Sequence, residues 1–250
     1  MDLKTYALSK LVGGSSKESG KMKLTDAYYF CCYGRRLDML SEIDISECED
    51  FGYMFYYCSN LTTIPALNTS KGTKFDYMFQ YCSSLTTIPP LDLSKGTRFG
   101  HMFQGCSNLT TIPELNTSSG TDFTSMFVSC SNLTTISALD VSSGTNFGGM
   151  FRGCSKLTNL TLYNIRKSMD ISPSTSLTVD SLVNTIKELC TASSTQILTM
   201  GGANLSKISN LYCKVTDNTS EKKPMELCES IDEGAMTLGA YAALKNWQLE

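Results

Sequence analysis

The sequence is poor in the residues that catalysis leans on. Its 250 residues hold one histidine, His101, and one tryptophan, Trp247. Ser-His-Asp or Cys-His catalysis would rest on that single imidazole. Charge is sparse too: 18% of residues are charged and the formal net charge is −3. That balance offers no basic footprint for nucleic acid or for an anionic membrane. No run approaches the roughly 18 apolar residues of a membrane helix, so no membrane insertion is expected. The opening "MDLKTYALSKLVGGSSKESGK" lacks the apolar core of a signal peptide, and the chain reads as soluble and, as written, cytoplasmic or phage-associated. Neither GxxxxGK[ST] nor a strand-linked GxGxxG occurs, so no cofactor is expected. Asp92 and Asp140 share a slot two units apart, and Asp76, Glu114 and Asp122 occupy other slots of the repeat described next, so no cluster forms and paired-carboxylate catalysis is unsupported. The expectation is a protein that is not an enzyme, with no catalytic and no metal-binding residues.

What the chain has is a sentence written over and over. "FGYMFYYCSNLTTIPALNTSKGTK" starts at Phe51, and "FDYMFQYCSSLTTIPPLDLSKGTR" starts at Phe75. Phe51, Phe75, Phe99, Phe123 and Phe147 open successive units with a period of 24 residues. Each carries Met-Phe, then a cysteine, then a leucine. Ile64, Ile88, Ile112 and Ile136 follow, with Leu160 in the fifth unit. A worn unit precedes them at about 27–50, where "LDMLSEIDIS" aligns under "LTTIPALNTS". A fixed short period means units that cannot bury an apolar face alone and must stack to do so. Within a unit, FxxMFxxC places apolar residues at i, i+3, i+4 and i+7, the face of a helix. LTTI is β-branched and short and suits a strand. SKGT or SSGT supplies the turn. Identical neighbouring strands pair in parallel. Pro65, Pro89 and Pro113 lack an N–H, so the ladder is expected to end at them.

The MFxxCSxLTTIPxL units resemble the leucine-rich repeats of BspA-like bacterial surface proteins over about 27–165, though they are shorter between strand and turn. The resemblance implies an α/β fold: a leucine-rich-repeat right-handed solenoid with a parallel β-sheet on one face and short helices or turns on the other, capped at the C-terminus. The expected organisation is an N-terminal arm or cap at 1–26, a solenoid of six units at 27–170 with the first and last degenerate, and an α/β capping module at 171–250. In the last part, "LTVDSLVNTIKELC" has Leu182, Val183, Ile186 and Leu189 on one helical face. A strand is expected at Gln196–Met200 and another through Trp247–Leu249, after a helix closed by Asn246. The order is similar to a C-terminal module of repeat proteins from Firmicute phages and prophages, with "CKVTDNTSEKKPMELCESIDE" inserted. By these resemblances a phage or surface association is also expected.

There are 11 cysteines, an odd number, so at least one is unpaired in a monomer. Cys58, Cys82, Cys106, Cys130 and Cys154 recur with the repeat, and none of the cysteines forms a CxxC pair. Stacked units put the five about 4.8 Å apart in a structural ladder. A row of buried thiols fits best, since cysteine fills small buried spaces; disulfides within the row and a metal are the competing readings. His101 replaces Tyr53 and Tyr77 in a slot that later holds Ser125 and Gly149, which reads as a surface position.

Binding is the better candidate. Tyr53, Tyr56, Tyr57, Tyr77 and Tyr81 cluster on the first two clean units, where they either form an aromatic recognition patch or shield the apolar face beneath. The second candidate surface is the sheet face, lined by Thr63, Thr87, Thr111 and Thr135. The expected function is non-enzymatic binding of a protein or a host surface. The alternatives are a carbohydrate-binding module that uses the aromatic patch and a phage structural accessory protein. The partner is a protein or a glycan, not nucleic acid.

Overall fold

The computed structural model describes residues 21–215, 225–228 and 236–250. Most of the arm expected at 1–26, residues 1–20, lies outside the described residues. The fold is mixed α/β, with parallel sheets and few helices. Its strands are β1 (Met22–Lys23), β2 (Ile43–Asp44), β3 (Thr111–Ile112), β4 (Thr135–Asp140), β5 (Asn159–Tyr163), β6 (Met169–Asp170), β7 (Gln196–Thr199), β8 (Tyr212–Val215), β9 (Met225–Cys228), β10 (Met236–Thr237) and β11 (Trp247–Leu249). Among the described residues the α-helices are α1 (Val179–Lys187), α2 (Gly201–Ile208) and α3 (Leu238–Ala243). Parallel pairing joins β1 to β2, orders β3-β4-β5, and orders β11-β7-β6, while β10-β8-β9 is antiparallel.

The FxxMFxxC segments are not helices, which corrects the reading of their i, i+3, i+4, i+7 pattern. Their amides alternate between two destinations. Met54, Tyr56 and Cys58 donate within the unit, to the carbonyls of Phe51, Tyr53 and Phe55. Phe51, Tyr53, Phe55 and Tyr57 donate instead to Lys74, Asp76, Met78 and Gln80 of the next unit, at 2.8–3.0 Å. A helix would need every amide for its own carbonyl four residues back. Here half of them tie one unit to the next, so the segment is a run of overlapping turns. The worn unit obeys the same rule: Ala27, Tyr29, Cys31 and Tyr33 donate to Asp50, Gly52, Met54 and Tyr56.

The turn runs still bury the predicted apolar face. Phe51, Phe75, Phe99, Phe123 and Phe147 stack with ring centroids 5.4–5.7 Å apart. Phe55, Phe79, Phe103, Phe127 and Phe151 form a second stack at 5.3–6.1 Å. All ten are buried, and each contributes about 2–3 kcal/mol of transfer free energy. The turn glycine is fixed by the first stack, because a Cβ on Gly72 would meet Phe75 Cζ at 2.3 Å.

Proline controls strand length as expected. The units with Pro65 and Pro89 have no assigned strand, β3 stops before Pro113, and β4 runs for 6 residues where Ser137 stands in that slot. Thr86, Thr110, Thr134 and Thr158 nevertheless each donate both N–H and Oγ1–H to the carbonyl of the threonine one unit earlier. Thr178 N–H continues the row onto Thr158, which joins the repeats to α1.

Toward the C-terminus, α1 buries Leu182, Val183 and Ile186, and its N-cap Thr178 accepts from Ser181 N–H. Strand β7 falls within Gln196–Met200, Asn246 takes a left-handed φ of 60° after α3, and β11 follows it. Trp247 is buried and donates Nε1–H to the Cys190 carbonyl at 2.8 Å. The inserted segment supplies most of β8 and all of β9, and its residues 216–224 and 229–233 lie outside the described ones.

Candidate binding surface

The cysteine ladder is buried, and its five members keep their thiols. Each thiol donates to a backbone carbonyl 27 residues earlier: Cys58 to Cys31, Cys82 to Phe55, Cys106 to Phe79, Cys130 to Phe103 and Cys154 to Phe127, all at 3.0–3.1 Å. The Phe55 carbonyl also takes the Cys58 amide, so both of its lone pairs are used. Burial pushes the Cys106 and Cys154 thiols up to about 12. A thiol held that high is inert as a nucleophile; Cys58, at the end of the row, is instead lowered by its hydrogen bonds with Cys82 and with the Gly34 N–H.

Chemistry at the surface is concentrated in the tyrosines. The third and seventh residues of each turn run adopt left-handed backbone: Tyr53, Tyr77 and His101 at one position, Tyr57, Tyr81 and Gly105 at the other, all with φ between 55° and 76°. That conformation costs a residue other than glycine about 1 kcal/mol or more. It also turns the side chains outward in register. Tyr29, Tyr53, Tyr77 and His101 form one row with centroids 4.4–4.6 Å apart and near-parallel rings. Tyr33, Tyr57 and Tyr81 form a second row at 5.7 and 4.6 Å. Tyr56 lies between the rows, edge-on to Tyr53 at 5.3 Å and to Tyr57 at 4.9 Å. Gly105 ends the second row because a Cβ there would meet Tyr81 Cδ1 at 2.5 Å.

The five tyrosines singled out from the sequence thus share one surface, together with Tyr29, Tyr33 and His101. The last three had a signal: Tyr29 and Tyr33 stand one period before Tyr53 and Tyr57, and His101 one period after Tyr77. His101 is half-buried rather than a plain surface residue. Its Nδ1 is 2.7 Å from Gln104 Oε1, which also accepts from Gln80 Nε2. Along the first row neighbouring ring faces are turned onto each other; in the second, Tyr33 stacks on Tyr57 alone and Tyr57 and Tyr81 are tilted by 45°. Tyr33 and Tyr57 are the most open, at 53% and 42% exposure. Burial and the surrounding tyrosines push the Tyr53 phenol up, so it stays protonated and able to donate.

Beside the first row is a cleft of about 330 Å³ lined by Tyr28, Asp50, Tyr53, Lys74, Asp76 and Arg98, among others. Lys74 pairs with Asp50 at 3.2 Å and Arg98 with Asp76 at 2.9 Å. Burial raises the Asp76 carboxyl against the pull of Arg98. Other carboxylates cap turns: Asp92 accepts from Ser94, Asp122 from Thr124 and Asp140 from Ser142.

The threonine candidates lie elsewhere. Thr63, Thr87 and Thr111 are exposed and Thr135 is half-buried. Only Thr111 and Thr135 sit in assigned strands, paired with each other in β3 and β4.

A chain of stacked, self-pairing repeats with an ordered aromatic surface is a repeat protein by construction. Its sequence matches the family described as "Mycoplasma protein of unknown function, DUF285" over residues 25–111 and again over 86–176, together more than half of the chain. The chain belongs to that family, and the match is consistent with a repeat protein of the BspA kind. None of the curated proteins and none of the solved structures matches it.

Proposed function

We propose that the chain is a non-enzymatic interaction protein whose repeats wind as a right-handed solenoid of the leucine-rich-repeat type, with residues 171–250 as its C-terminal cap. The two tyrosine rows are its binding surface, and the partner is a protein. The observation that carries this reading is the orientation of the rings. Sugar recognition by tyrosine uses an open ring face, and the faces between neighbours of the first row are taken up by stacking. Ring edges and phenol hydroxyls, held rigid at little further entropy cost, suit a protein surface. The carboxylates support a non-catalytic role, since Asp50, Asp76, Asp92, Asp122 and Asp140 are committed to turn caps and ion pairs. Repeat proteins of phage and bacterial surfaces are the setting that the sequence resemblances favour.

The test is capture from bacterial lysate and cell-wall fractions by immobilised wild type beside a Tyr53/Tyr56/Tyr57→Ala variant. A protein retained by the wild type and lost by the variant is the expected result. Equal retention by both would move the site away from the tyrosine rows, and a captured glycan would replace the protein reading.

A further inference from the structure

The threonine ladder has one rank whose donors are not used. Thr86, Thr110, Thr134 and Thr158 each give N–H and Oγ1–H to a carbonyl in the preceding unit. Thr62 would give its own to the position of Asp38, but residues Leu37–Ser41 form a 3-10 helix instead of an extended segment. Among the described residues nothing accepts the N–H or the hydroxyl of Thr62, which is exposed. The apolar neighbours tell the same story. Leu85, Leu109, Leu133 and Leu157 are fully buried, whereas Leu61 is only partly covered. Between the 3-10 helix and this edge is a pocket of about 310 Å³, lined by Tyr33, Leu37, Tyr57, Leu61, Thr62 and Thr63 with their neighbours.

We infer that this open edge binds an extended peptide segment of a protein partner, added as one more parallel rank of the ladder. The ladder itself states the occupant's chemistry. It presents a backbone carbonyl to the N–H and hydroxyl of Thr62, as every later rank does, and sets an aliphatic side chain between Leu37 and Leu61. Strand addition of this kind draws affinity from main-chain hydrogen bonds and selectivity from the side-chain pocket. The edge adjoins the tyrosine surface through Tyr33 and Tyr57, but the inference rests on Thr62 and stands whether or not the tyrosine rows bind a protein.

A labelled synthetic peptide with the sequence of residues 59–68 is the probe, because that segment is the neighbour that the next unit's edge holds. Fluorescence anisotropy of the full chain should show saturable binding. Thr62→Val, which removes one donor and keeps the shape, should weaken it about fivefold. Leu37→Asp should weaken it at least tenfold, while Thr158→Val, the same change at a rank already paired within the chain, should leave it unaltered. Near-UV circular dichroism checks that each variant is folded. No saturable binding at millimolar peptide would overturn the inference, as would equal affinity for wild type and Thr62→Val. A dimer of the chain that the peptide dissociates would make a second copy the occupant and overturn it in favour of self-association.

Discussion

The thiol of Cys106 donates to the carbonyl oxygen of Phe79 at 3.0 Å, across the boundary between two units. The same bond recurs at Cys82, Cys130 and Cys154, so the cysteine is held at one place because the stack needs a small apolar side chain with one donor there. Cys106→Ala should destabilise the protein by about 1–2 kcal/mol through the lost bond and the lost sulfur volume. Urea unfolding measures it, and a change below about 0.3 kcal/mol would remove the ladder's structural role.

Alkali should unfold the protein for the same reason. The folded values of Cys48, Cys106 and Cys154 are about 12 against an ordinary 9.0. A raised value means stability that is complete below pH 9 and is lost as pH rises toward 12, because only the unfolded chain ionises. These three thiols alone amount to about 4 kcal/mol per pH unit in that window. Thermal melts from pH 7 to 11 should show a steep fall beginning near pH 9, together with thiol labelling that follows unfolding. Rapid labelling of Cys106 or Cys154 in the folded protein at pH 8 would contradict the account.

Gly105 and Gly149 separate backbone strain from crowding. Both have left-handed φ, 76° and 65°, but a Cβ on Gly149 would come no closer than 3.6 Å to Ser125 Oγ. Gly149→Ala should cost about 1 kcal/mol, the conformational term alone. Gly105→Ala should cost about 2–3 kcal/mol, since it also displaces Tyr81. Equal costs would mean that the aromatic row does not press on Gly105.

Asp76 and Arg98 should respond to mutation in opposite directions. Asp76 is 8% exposed, and burial raises its carboxyl above the ordinary 3.8. Its ionisation therefore opposes folding, and the penalty grows as pH rises from acid to neutral. Asp76→Asn should gain stability relative to wild type over that range. Arg98→Ala should lose about 1 kcal/mol at pH 7, discounted because Arg98 is half exposed. A stability gap between Asp76→Asn and wild type that shrinks with rising pH would reverse the assignment.

Trp247 reports on the C-terminal part alone, because it is the only tryptophan. It is 2% exposed and bonded to the Cys190 carbonyl, so native emission should be blue-shifted and should move red on unfolding. Trp247→Phe should cost about 2–3 kcal/mol. Solvent-exposed emission from the folded protein would contradict this packing.

Much of the fold was legible because every junction repeats one set of contacts. The spacing of Phe51, Cys58, Ile64 and Pro65 located the stacks, the thiol row and the end of each strand. The turn runs were not legible from Phe51 to Cys58 alone. An i, i+3, i+4, i+7 pattern describes which side chains face inward, and overlapping turns with a left-handed residue every fourth position satisfy it as well as a helix does. The distinguishing sign lay across units: the slots of Tyr53 and Tyr57 become Gly149 and Gly153, and glycine drift at a fixed slot points to left-handed backbone. The tyrosine rows were half legible, since Tyr29 and Tyr33 sit in the worn unit whose alignment is read from Leu37 onward. The unpaired rank at Thr62 was hidden, because "LDMLS" fits the strand frame in sequence and becomes a 3-10 helix in the fold.

Tyr57 and Tyr163 give the most direct test of the central claim. They are equally exposed, at 42% and 41%, but Tyr57 belongs to the rows and Tyr163 ends β5. Affinity for the captured partner should fall at least tenfold in Tyr57→Ala, about 1.4 kcal/mol, and stay unchanged in Tyr163→Ala. Loss of affinity in Tyr163→Ala with Tyr57→Ala unaffected would contradict the account and take the binding surface off the tyrosine rows.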